Sequence, residues 1–578
     1  MKAEQDLFSR CGRWLAMLLL LIFFGRLLAT AQVKSATFDE TLHVFEAALY
    51  WQNKTLYSVV QNPPLVNSVI GFPLALTFRP HFPDSIEPIS NWLELSKSFM
   101  WEINDNGLQM LAVGRLAIIW LALLLAALVY RWSGQLFSTK TAGLLALLLF
   151  TFDPNILAHS FLATTDLGMA FFYTLAGYLI WRYWRYDLRR PIWLYMAAGV
   201  AIGLALAAKF SGLIIIPALI GIAVYKLVTA HAPRRDWWRT ALEAAGWVAI
   251  GAVLFLLVYR FSWQTLDLDF SWQSEHQLQG RTSFLSGEFS RGWWYFFPLV
   301  MAIKTPISTM LLVILSVTLY TWRRRWDWQT VWPLLLASGI FAASMVSRVN
   351  IGYRYLLPML PPLAVFVGQL ARPGDRKNPV LKISAALLIM TVIVSMAIHP
   401  HYLAYFNALV GGPDHAWRVV VDSNIDWGQD LQGLAAYMDE NSFDFVNANW
   451  LGSAPLEAYG INGRAVLGWP AAKENPLYDW FYPARPAPGF YAFSATQLQG
   501  LYLRGDKARF AWFKERQPLA KIGYSLFVYD VPAEGEEVGL ALSGIGIETI
   551  TVEDFDQAFK SNDLQPRWYD ARSSIVWP

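Results

Sequence analysis

The chain has 578 residues, of which 55% are hydrophobic and only 15% are charged. That composition excludes an ordinary soluble protein and indicates an integral membrane protein with room for two or more domains. The formal net charge is only +3, and Lys and Arg stand in short clusters between apolar stretches, so no nucleic-acid partner is expected. The single cysteine, Cys11, excludes a disulfide framework and a cysteine metal site.

Apolar stretches of about 17 to 25 residues are typical of transmembrane helices. We expect the first stretch to be a retained anchor, because it is about 20 residues long and lacks a clear cleavage site. The sequence predicts eleven spans, at residues 14–33, 109–130, 141–158, 166–184, 191–208, 211–229, 241–261, 294–320, 331–347, 353–370 and 381–398.

Basic residues test this set of spans, because Lys and Arg concentrate in the cytoplasmic loops of membrane proteins. If the chain crosses the membrane eleven times, all the basic clusters lie on the same side of it, and that side is the cytoplasm. The sequence therefore predicts a protein of the plasma membrane with a cytoplasmic N-terminus. The loops 34–108 and 262–293 and the C-terminus then lie on the outer side. The clusters are Arg10 with Arg13, Arg131 with Lys140, and residues 182–190, 234–239, 323–325 and 372–377.

Hydropathy falls after residue 398, and residues 399–578 have mixed polarity with frequent Gly, Pro and aromatic residues. The sequence therefore predicts a membrane domain at 1–398 and an extracytoplasmic globular α/β domain at 399–578. Within the second domain, 431–440 favours a helix and 519–529 favours a strand. Asp422, Asp426 and Asp430 are four residues apart, but the intervening Asn424 and Gly428 favour a solvated loop over a helix.

The segment 38–46 follows the first span and carries Asp39, Glu40 and His43. On a helix, the two carboxylates and the imidazole would share a face. A carboxylate there could act as a general base, which an attacking hydroxyl or amine acceptor requires. An amphipathic surface helix and a divalent-metal site are the alternatives, and His43 could also contact the acceptor.

A second polar segment begins at Asp153-Pro154-Asn155 and leads through His159 to Thr165-Asp166. Thr165 or Asp166 is a natural N-cap for the apolar helix that follows. Asp166 could also face a cavity that holds an acceptor or a sugar, because ionisable groups at membrane depth are rare and often functional.

Four basic residues lie within or at the edges of apolar stretches: Arg115, Lys209, Lys304 and Arg354. A phosphate anchored at that depth by a lipid tail would need cationic partners of this kind. The alternative for each residue is that its long side chain reaches to the membrane–water interface. We predict that the set binds the phosphate of a lipid-linked donor.

The motifs follow one another in a fixed order along the chain. The ordered set resembles glycosyltransferase family 39 of the GT-C superfamily, which includes protein O-mannosyltransferases and lipid A aminoarabinose transferases. Residues 401–407 and 422–430 look like the bacterial carrier-dependent members, although Gly280-Arg281 stands where some of these have Gly-His. The motifs are Phe38-Asp39-Glu40 with His43, Asn62-Pro63-Pro64-Leu65, Asp153-Pro154-Asn155 with Thr165-Asp166, Lys209-Phe210-Ser211-Gly212, Lys304-Thr305-Pro306 and Asn350-Ile351-Gly352-Tyr353-Arg354-Tyr355.

The resemblance implies a mainly α, polytopic fold of GT-C type in a bacterial plasma membrane. It implies inverting transfer of a hexose, mannose being one example, from a polyprenyl-phosphate carrier to a protein, lipid or glycan acceptor outside the membrane. Asp39 would be the base, with Glu40 beside it and Asp166 as the second acidic position. Lys209 and Arg354 would hold the carrier phosphate. No cofactor follows with certainty, and a divalent metal stays an open alternative.

Two other classes of protein share some of these features. A multi-span transporter or lipid-linked-sugar flippase would also have many spans and intramembrane charges, but its typical inverted repeats are not found in the sequence. A scaffold with a partner-binding outer domain would not require acidic and basic residues near the same membrane boundary. The glycosyltransferase hypothesis accounts for both sets of charges.

Overall fold

A computed structural model describes residues 2–52, 62–84, 92–185, 191–323, 326–371, 379–466, 480–503 and 506–573, with the side chains described from residue 12 onward. The basic residues at 186–190, 324–325 and 372–377, on which the topology prediction partly depends, lie outside this set. The chain divides into two compact units. The first comprises residues 1–33, 39–281 and 291–412, and the second comprises residues 34–38, 282–290 and 413–578.

The first unit is built from helices. Their bounds are α1 Lys2–Val33, α2 Phe38–Gln52, α3 Leu65–Thr77, α4 Trp92–Lys97, α5 Gly107–Leu136, α6 Lys140–Thr151, α7 Pro154–His159, α8 Thr165–Arg185, α9 Ile192–Ala208, α10 Ile215–Thr229, α11 Arg234–Val258, α12 Trp263–Gln279, α13 Phe296–Lys304, α14 Ile307–Trp322, α15 Trp328–Val346, α16 Leu360–Val367 and α17 Pro379–Ala397. Shorter 3-10 or π segments are Ser98–Ile103, Phe210–Ile214, Tyr353–Met359, Gly368–Ala371, Tyr402–Ala404 and Ala408–Val410.

Six helices in the described part of the chain are long and apolar enough to cross a membrane, or seven if the bent pair α13 and α14 counts as one span. The chain is therefore an integral membrane protein with a mainly helical fold. Three shorter apolar helices, α3, α6 and α9, accompany them. The count of eleven spans stays a prediction.

Three predicted spans are wrong as single helices. The predicted span 141–158 breaks between α6 and α7, where Asp153 caps α7 through Asn155 N–H at 2.8 Å and Ile156 N–H at 3.2 Å. The predicted span 294–320 bends by 110° between α13 and α14. Proline causes the second break, because Pro306 lacks the N–H that a continuous helix needs.

The predicted span 353–370 is also interrupted. It begins as the 3-10 segment Tyr353–Met359, continues as α16 and returns to a 3-10 turn. Pro358 lies inside the first part and Pro361 and Pro362 at the start of α16, so successive backbone N–H donors are missing. These breaks place polar residues at helix ends within the first unit.

Helices α9 and α11 approach each other closely at two glycines. A Cβ atom on Gly203 would lie 2.7 Å from the carbonyl oxygen of Gly251 and 2.9 Å from its Cα atom. The helices therefore touch backbone to backbone, a contact that small residues permit in membrane helix pairs.

The second unit combines short helices with strands. Its strands are β1 Ser283–Leu285, β2 Glu288–Ser290, β3 Val446–Asn449, β4 Gly463–Ala465, β5 Gly489–Ser494, β6 Ala520–Ile522, β7 Leu526–Val531, β8 Val538–Leu542 and β9 Leu564–Trp568. Its helical segments are α18 Pro413–Ala416, α19 Leu431–Asn441, α20 Ala495–Leu498 and α21 Ala511–Lys514, with the 3-10 or π turns Asp422–Asn424, Leu456–Tyr459, Ile547–Thr549 and Asp554–Phe559.

Five strands of the second unit form one sheet in the order β4-β3-β5-β7-β6. Strand β3 pairs in parallel with both β4 and β5, while β7 pairs antiparallel with both β5 and β6. The strands β1 and β2 form a separate antiparallel hairpin, and β8 pairs in parallel with β9.

The helix predicted at 431–440 is confirmed as α19. The single strand predicted at 519–529 is wrong, because the segment is a hairpin of β6 and β7. Gly523 and Tyr524 form its turn with φ values of 58° and 64°. The apolar and aromatic composition suited a strand throughout, and only the glycine indicated the reversal.

Replacing Gly203 by Val should destabilise the first unit, because the added methyl groups would collide with the backbone of Gly251. We expect a loss of about 1–3 kcal/mol, which is typical of overpacking. Thermal unfolding of the purified protein in detergent measures it. Gly25→Val is the matched control, because nothing lies within 4 Å of a Cβ atom at that exposed helix position. Equal melting temperatures for the two variants would contradict the close approach.

Candidate functional site

Asp39 and Arg354 form an ion pair in the first unit. The Nη1 atom of Arg354 donates to Oδ2 of Asp39 at 2.6 Å. The two residues are 315 positions apart in the chain, so the fold alone brings them together. Charge-assisted hydrogen bonds of this length are among the stronger polar contacts in proteins.

A second ion pair joins the first. Lys209 Nζ donates to Oδ1 of Asp166 at 2.7 Å, and Arg354 Nη1 lies 3.7 Å from Oδ2 of Asp166. Asp39, Arg354, Asp166 and Lys209 therefore form one continuous network, which we call the four-charge cluster. The cluster contains two carboxylates and two cations, so its formal charges cancel.

Each member of the four-charge cluster lies at the end of a helical segment. Asp39 is in the first turn of α2, and Asp166 is in the first turn of α8. Lys209 follows the last residue of α9, and Arg354 is near the start of a 3-10 segment. Carboxylates at helix N-termini and a cation at a helix C-terminus are favoured by the helix dipole.

The turn that follows Lys209 requires a glycine at position 212. The N–H of Gly212 donates to the carbonyl of Lys209 at 2.8 Å. A Cβ atom on Gly212 would lie 2.2 Å from the carbonyl oxygen of Ala205, so a side chain has no space there. This tight reversal directs the chain from α9 into the next segment immediately after Lys209.

Tyr355 contacts both cations, and its role was not identified from the sequence. Its ring centroid lies 5.0 Å from Lys209 Nζ and 5.8 Å from the guanidinium carbon of Arg354. Cation–π contacts at such distances hold a cation over an aromatic face. The only sequence signal was the position of Tyr355 directly after Arg354.

Exposure differs among the four charged side chains. The side chain of Asp39 is 23% exposed, whereas that of Asp166 is 3% exposed. The two cations lie between these values, at 12% for Lys209 and 9% for Arg354. Asp39 is therefore the carboxylate that an incoming molecule can reach most easily.

Glu40 lies apart from the cluster, in a pair with Arg115. Arg115 donates from Nε and Nη2 to the two carboxylate oxygens at 2.8 and 2.7 Å. The N–H of Ala163 donates to Glu40 at 2.9 Å, and Arg115 also donates to the carbonyl of Ala31 at 2.8 Å. Glu40 is completely buried and Arg115 is 3% exposed, so both predicted site residues take part in a closed structural contact.

His43 is buried beside the cluster and contacts an amide. Its Nδ1 atom lies 3.1 Å from Oδ1 of Asn67, whose Nδ2 donates to Glu46 at 2.5 Å. Burial lowers the pKa of the His43 imidazole, and the carboxylates of Asp39 and Asp166 offset part of that effect. His43 is therefore neutral at neutral pH. Asn67 was not identified as a partner from the sequence.

Lys304 has its contacts at another place in the first unit. Its Nζ atom donates to the carbonyl of Leu403 at 2.8 Å and lies 4.3 Å from the Phe406 ring centroid. Asp153 interacts with it electrostatically, and Asn155 donates to its carbonyl at 2.9 Å. The structure therefore brings Lys209 and Arg354 together and places Arg115 and Lys304 in separate contacts.

The turn between α7 and α8 contributes buried polar groups. The hydroxyls of Ser160 and Thr164 are buried and have no hydrogen-bond partner among the described residues. Burial lowers the pKa of His159 to about 3, with Asp166 acting in the opposite direction, so this imidazole is also neutral. Thr165 is the first residue of α8, so the predicted N-cap at Thr165 or Asp166 is displaced by one or two residues.

Metal binding was predicted as an alternative for Asp39, Glu40 and His43. Within the ranges that the structure describes, no group of three or more His, Cys, Asp or Glu side chains is arranged to hold an ion. Arg115 and Ala163 contact the Glu40 carboxylate, and Arg354 contacts Asp39. The metal hypothesis stays untested.

Two apolar cavities in the first unit share part of their lining, and Phe210, which follows Lys209 in the chain, lines one of them. One, of about 520 Å³, is lined by Phe210 and by residues of α10, α11 and α12, and the other, of about 580 Å³, lies between α10 and α11. They share Ile216, Val248 and Ala252.

Residues 16–266 match the family model described as dolichyl-phosphate-mannose-protein mannosyltransferase. The matched range includes Asp39, Asp166 and Lys209 and ends before Arg354. Over this range, which is less than half of the chain, the match confirms the predicted resemblance to the protein O-mannosyltransferases and supports a membrane glycosyltransferase. The comparison with curated protein sequences finds no match.

Several solved structures are distantly similar to this chain, including the following three. The ArnT protein from Cupriavidus metallidurans, bound to undecaprenyl phosphate, is 14% identical over 89% of this chain and 97% of that chain, with a TM-score of 0.48. The S. cerevisiae protein O-mannosyltransferase Pmt1-Pmt2 complex, bound to the sugar donor, is 17% identical over 44% of this chain and 34% of that chain, with a TM-score of 0.35. The Archaeoglobus fulgidus oligosaccharyltransferase is 13% identical over 86% of this chain and 72% of that chain, with a TM-score of 0.46. At these TM-scores, none of the three assigns a role to a residue of this chain.

Replacing Arg115 by Met should destabilise the protein strongly, because it leaves the buried Glu40 carboxylate without its bidentate partner. We expect a loss of about 3–5 kcal/mol, measured as a lower melting temperature in detergent. The double variant Arg115→Met with Glu40→Gln should recover part of the loss. An Arg115→Met protein with normal stability but weaker binding of a lipid phosphate would instead support the predicted phosphate-binding role.

Proposed function

We propose, from the match of residues 16–266 to the dolichyl-phosphate-mannose-protein mannosyltransferase model, that the chain is an inverting, polyprenyl-phosphate-dependent glycosyltransferase. It transfers a hexose-type sugar to a protein, lipid or glycan acceptor on the outer face of the plasma membrane. The observation that carries the proposal is the four-charge cluster. A partly exposed carboxylate lies 2.6 Å from a cation that can also bind a phosphate.

The chemistry of the transfer needs one base and a stabilised leaving group. An acceptor hydroxyl attacks the anomeric carbon, and a new C–O bond forms as its proton passes to Asp39. The bond between the anomeric carbon and the phosphate oxygen breaks, and the carrier phosphate departs with the electron pair. The added negative charge is offset by Arg354 and Lys209, so the leaving group needs no separate acid.

Exchange of partners at Arg354 links donor binding to the base. Without donor, the guanidinium is paired with Asp39 and lies near Asp166. A donor phosphate that binds Arg354 competes with the Asp39 carboxylate for the same N–H donors. Asp39 is then released toward the acceptor, and the sugar lies between the base and the two cations.

Asp166 is better placed to hold the cations than to accept a proton. Its side chain is nearly buried, and its two oxygens face Lys209 and Arg354 respectively. In our proposal Asp166 is a positioning residue, Glu40 and Arg115 hold the first turn of α2, and neither Arg115 nor Lys304 binds the donor phosphate. His43, which is neutral, is kept as a candidate for acceptor contact.

The apolar cavities support a lipid-linked donor. Phe210, which lines one of the cavities, follows Lys209 directly in the chain, and we assign this cavity to the hydrocarbon tail of a donor whose phosphate binds Lys209. The alternative of a lipid-linked-sugar flippase would use the same cavity. Transfer chemistry distinguishes the two, because a flippase needs no base at position 39.

Replacing Asp39 by Asn should abolish transfer while the donor still binds, because the amide retains the size of the side chain but cannot accept the proton. We expect a fall of roughly 10²- to 10⁴-fold in kcat. The measurement is transfer of radiolabelled sugar from synthetic polyprenyl-phosphate donors to acceptors in membrane extracts, with and without a metal chelator to test the divalent-metal hypothesis.

Asp105→Asn is the matched control, because this exposed aspartate also lies in the 34–108 region and should transfer sugar normally. Normal transfer by Asp39→Asn would contradict the base assignment. Absence of transfer by the folded wild-type protein with every donor tested would favour the flippase, which a lipid-translocation assay would then detect.

Replacing Arg354 or Lys209 by Ala should weaken donor binding, because each substitution removes a charge-assisted contact to the phosphate. We expect about 1.5–3 kcal/mol for each, or a rise of roughly 10- to 100-fold in Kd. Equilibrium binding of a labelled polyprenyl-phosphate sugar measures it. Arg348→Ala, at an exposed arginine near Arg354, is the control. Unchanged affinity in both Arg354→Ala and Lys209→Ala would exclude the phosphate-binding role.

A further inference from the structure

Residues 34–38, which the proposed reaction does not use, belong to the second compact unit together with residues 413–578. They directly precede Asp39 in the chain, and Phe38 is the first residue of α2. We call them the 34–38 segment. Their contacts within the second unit determine where that helix begins.

Three backbone N–H groups of the 34–38 segment donate hydrogen bonds within the second unit. The N–H groups of Ser35 and Phe38 donate to the carbonyls of Gln429 and Trp427 at 3.0 and 2.8 Å. The N–H of Ala36 donates to the hydroxyl of Tyr459 at 2.7 Å. The first N–H of a helix has no partner within the helix, so the bond from Phe38 to Trp427 satisfies a donor that would otherwise be unpaired.

Side chains add two further contacts to this backbone ladder. The N–H of Gln432 donates to the hydroxyl of Ser35 at 2.8 Å, and the Ser453 hydroxyl lies 3.4 Å from the carbonyl oxygen of Thr37. The segment is therefore held in register along its length, from Ser35 to Phe38. A shift by one residue would break every one of these bonds.

A buried ion pair anchors the start of the segment. Lys34 donates to Asp430, and both side chains are almost completely buried. Ser525 donates to the other oxygen of Asp430 at 2.5 Å. A Cβ atom on Gly523 would lie 2.4 Å from the Asp430 carboxylate, so a glycine is needed there to leave room for the acid.

The turn that receives the segment is itself fixed internally. In residues 422–430, Asp426 accepts from the N–H of Thr496 at 3.0 Å, and Asp422 accepts from Tyr502. Gln429 accepts from the N–H of Trp427 at 2.7 Å and donates to the carbonyl of Ile425 at 2.9 Å. The predicted loop is confirmed, but its interpretation as solvated turn chemistry is wrong, because its aspartates are all buried.

We infer that the 422–430 turn is a positioning element for the transfer reaction, which it serves by holding the 34–38 segment and so fixing the first turn of α2, where Asp39 lies. Asp430 and Lys34 are positioning residues, not catalytic ones. The inference rests on the proposed role of Asp39 as the base. It gives the aspartate-rich 422–430 turn a role in holding a neighbouring segment.

Small displacements of a base are costly in catalysis. A misplacement of about 1 Å can reduce a rate by roughly 100-fold even when the change is far from the reacting atoms. Loosening of the 34–38 segment should therefore lower kcat without weakening donor binding, because the cations that bind phosphate lie on other segments and Asp39 competes with phosphate for Arg354.

The test replaces Asp430 by Asn in the full-length protein. We expect kcat for sugar transfer to fall roughly 10- to 100-fold while the donor KM does not rise. Amide hydrogen exchange should become faster in peptides covering residues 35–42, a change that does not depend on activity. Tyr459→Phe, which removes a single hydrogen bond to Ala36, should produce a smaller change of the same kind.

Asp439→Asn, at an exposed aspartate of α19, is the matched control and should match the wild type in both readouts. A wild-type kcat in folded Asp430→Asn, or a reduced kcat with unchanged exchange at 35–42, would overturn the inference. If Asp430→Asn fails to fold, the kcat of Tyr459→Phe and its amide hydrogen exchange at residues 35–42 test the inference instead. Transfer that survives Asp39→Asn would instead defeat the proposed function, whatever the exchange result.

Discussion

The structure of the candidate site depends on the pairing of four charges in a largely buried place. A buried charge without a partner is strongly unfavourable, so Asp39, Arg354, Asp166 and Lys209 must neutralise one another when no ligand is bound. Their formal charges sum to zero, and an incoming phosphate adds a negative charge that the cluster can only accept by releasing a carboxylate. Asp39 is the more exposed of the two carboxylates, and Asp166 is held from both sides. Charge balance therefore favours release of the residue that we propose as the base.

Interruption of helices makes this cluster possible. A continuous membrane helix satisfies its own backbone groups and turns most side chains toward lipid or neighbouring helices, whereas a helix end exposes polar groups that attract charge. The cluster combines two N-terminal turns, one C-terminal residue and one 3-10 start. The 34–38 segment extends this principle to the second unit, because the first N–H of α2 is satisfied by the carbonyl of Trp427.

Much of the fold and the identities of the cluster residues could be predicted from the sequence. The helices α8, α9 and α19 follow from hydropathy and periodicity, and carboxylates and cations at membrane boundaries indicated the site. The ion pairs could not be predicted, because Arg115 and Arg354 have similar sequence surroundings. Only the fold pairs Arg115 with Glu40 and Arg354 with Asp39. Interrupted spans were missed because hydropathy averages across a proline. The burial of the 422–430 turn was missed because its aspartates have partners far away in the sequence.

The most direct test of the account is a double-mutant cycle on the affinity for a labelled polyprenyl phosphate, with wild type, Asp39→Asn, Arg354→Ala and the double variant. If donor phosphate and Asp39 compete for Arg354, Asp39→Asn should tighten phosphate binding when Arg354 is present and change nothing when it is absent. Weaker binding in Asp39→Asn, or the same change in both backgrounds, would contradict the exchange of partners on which the account depends.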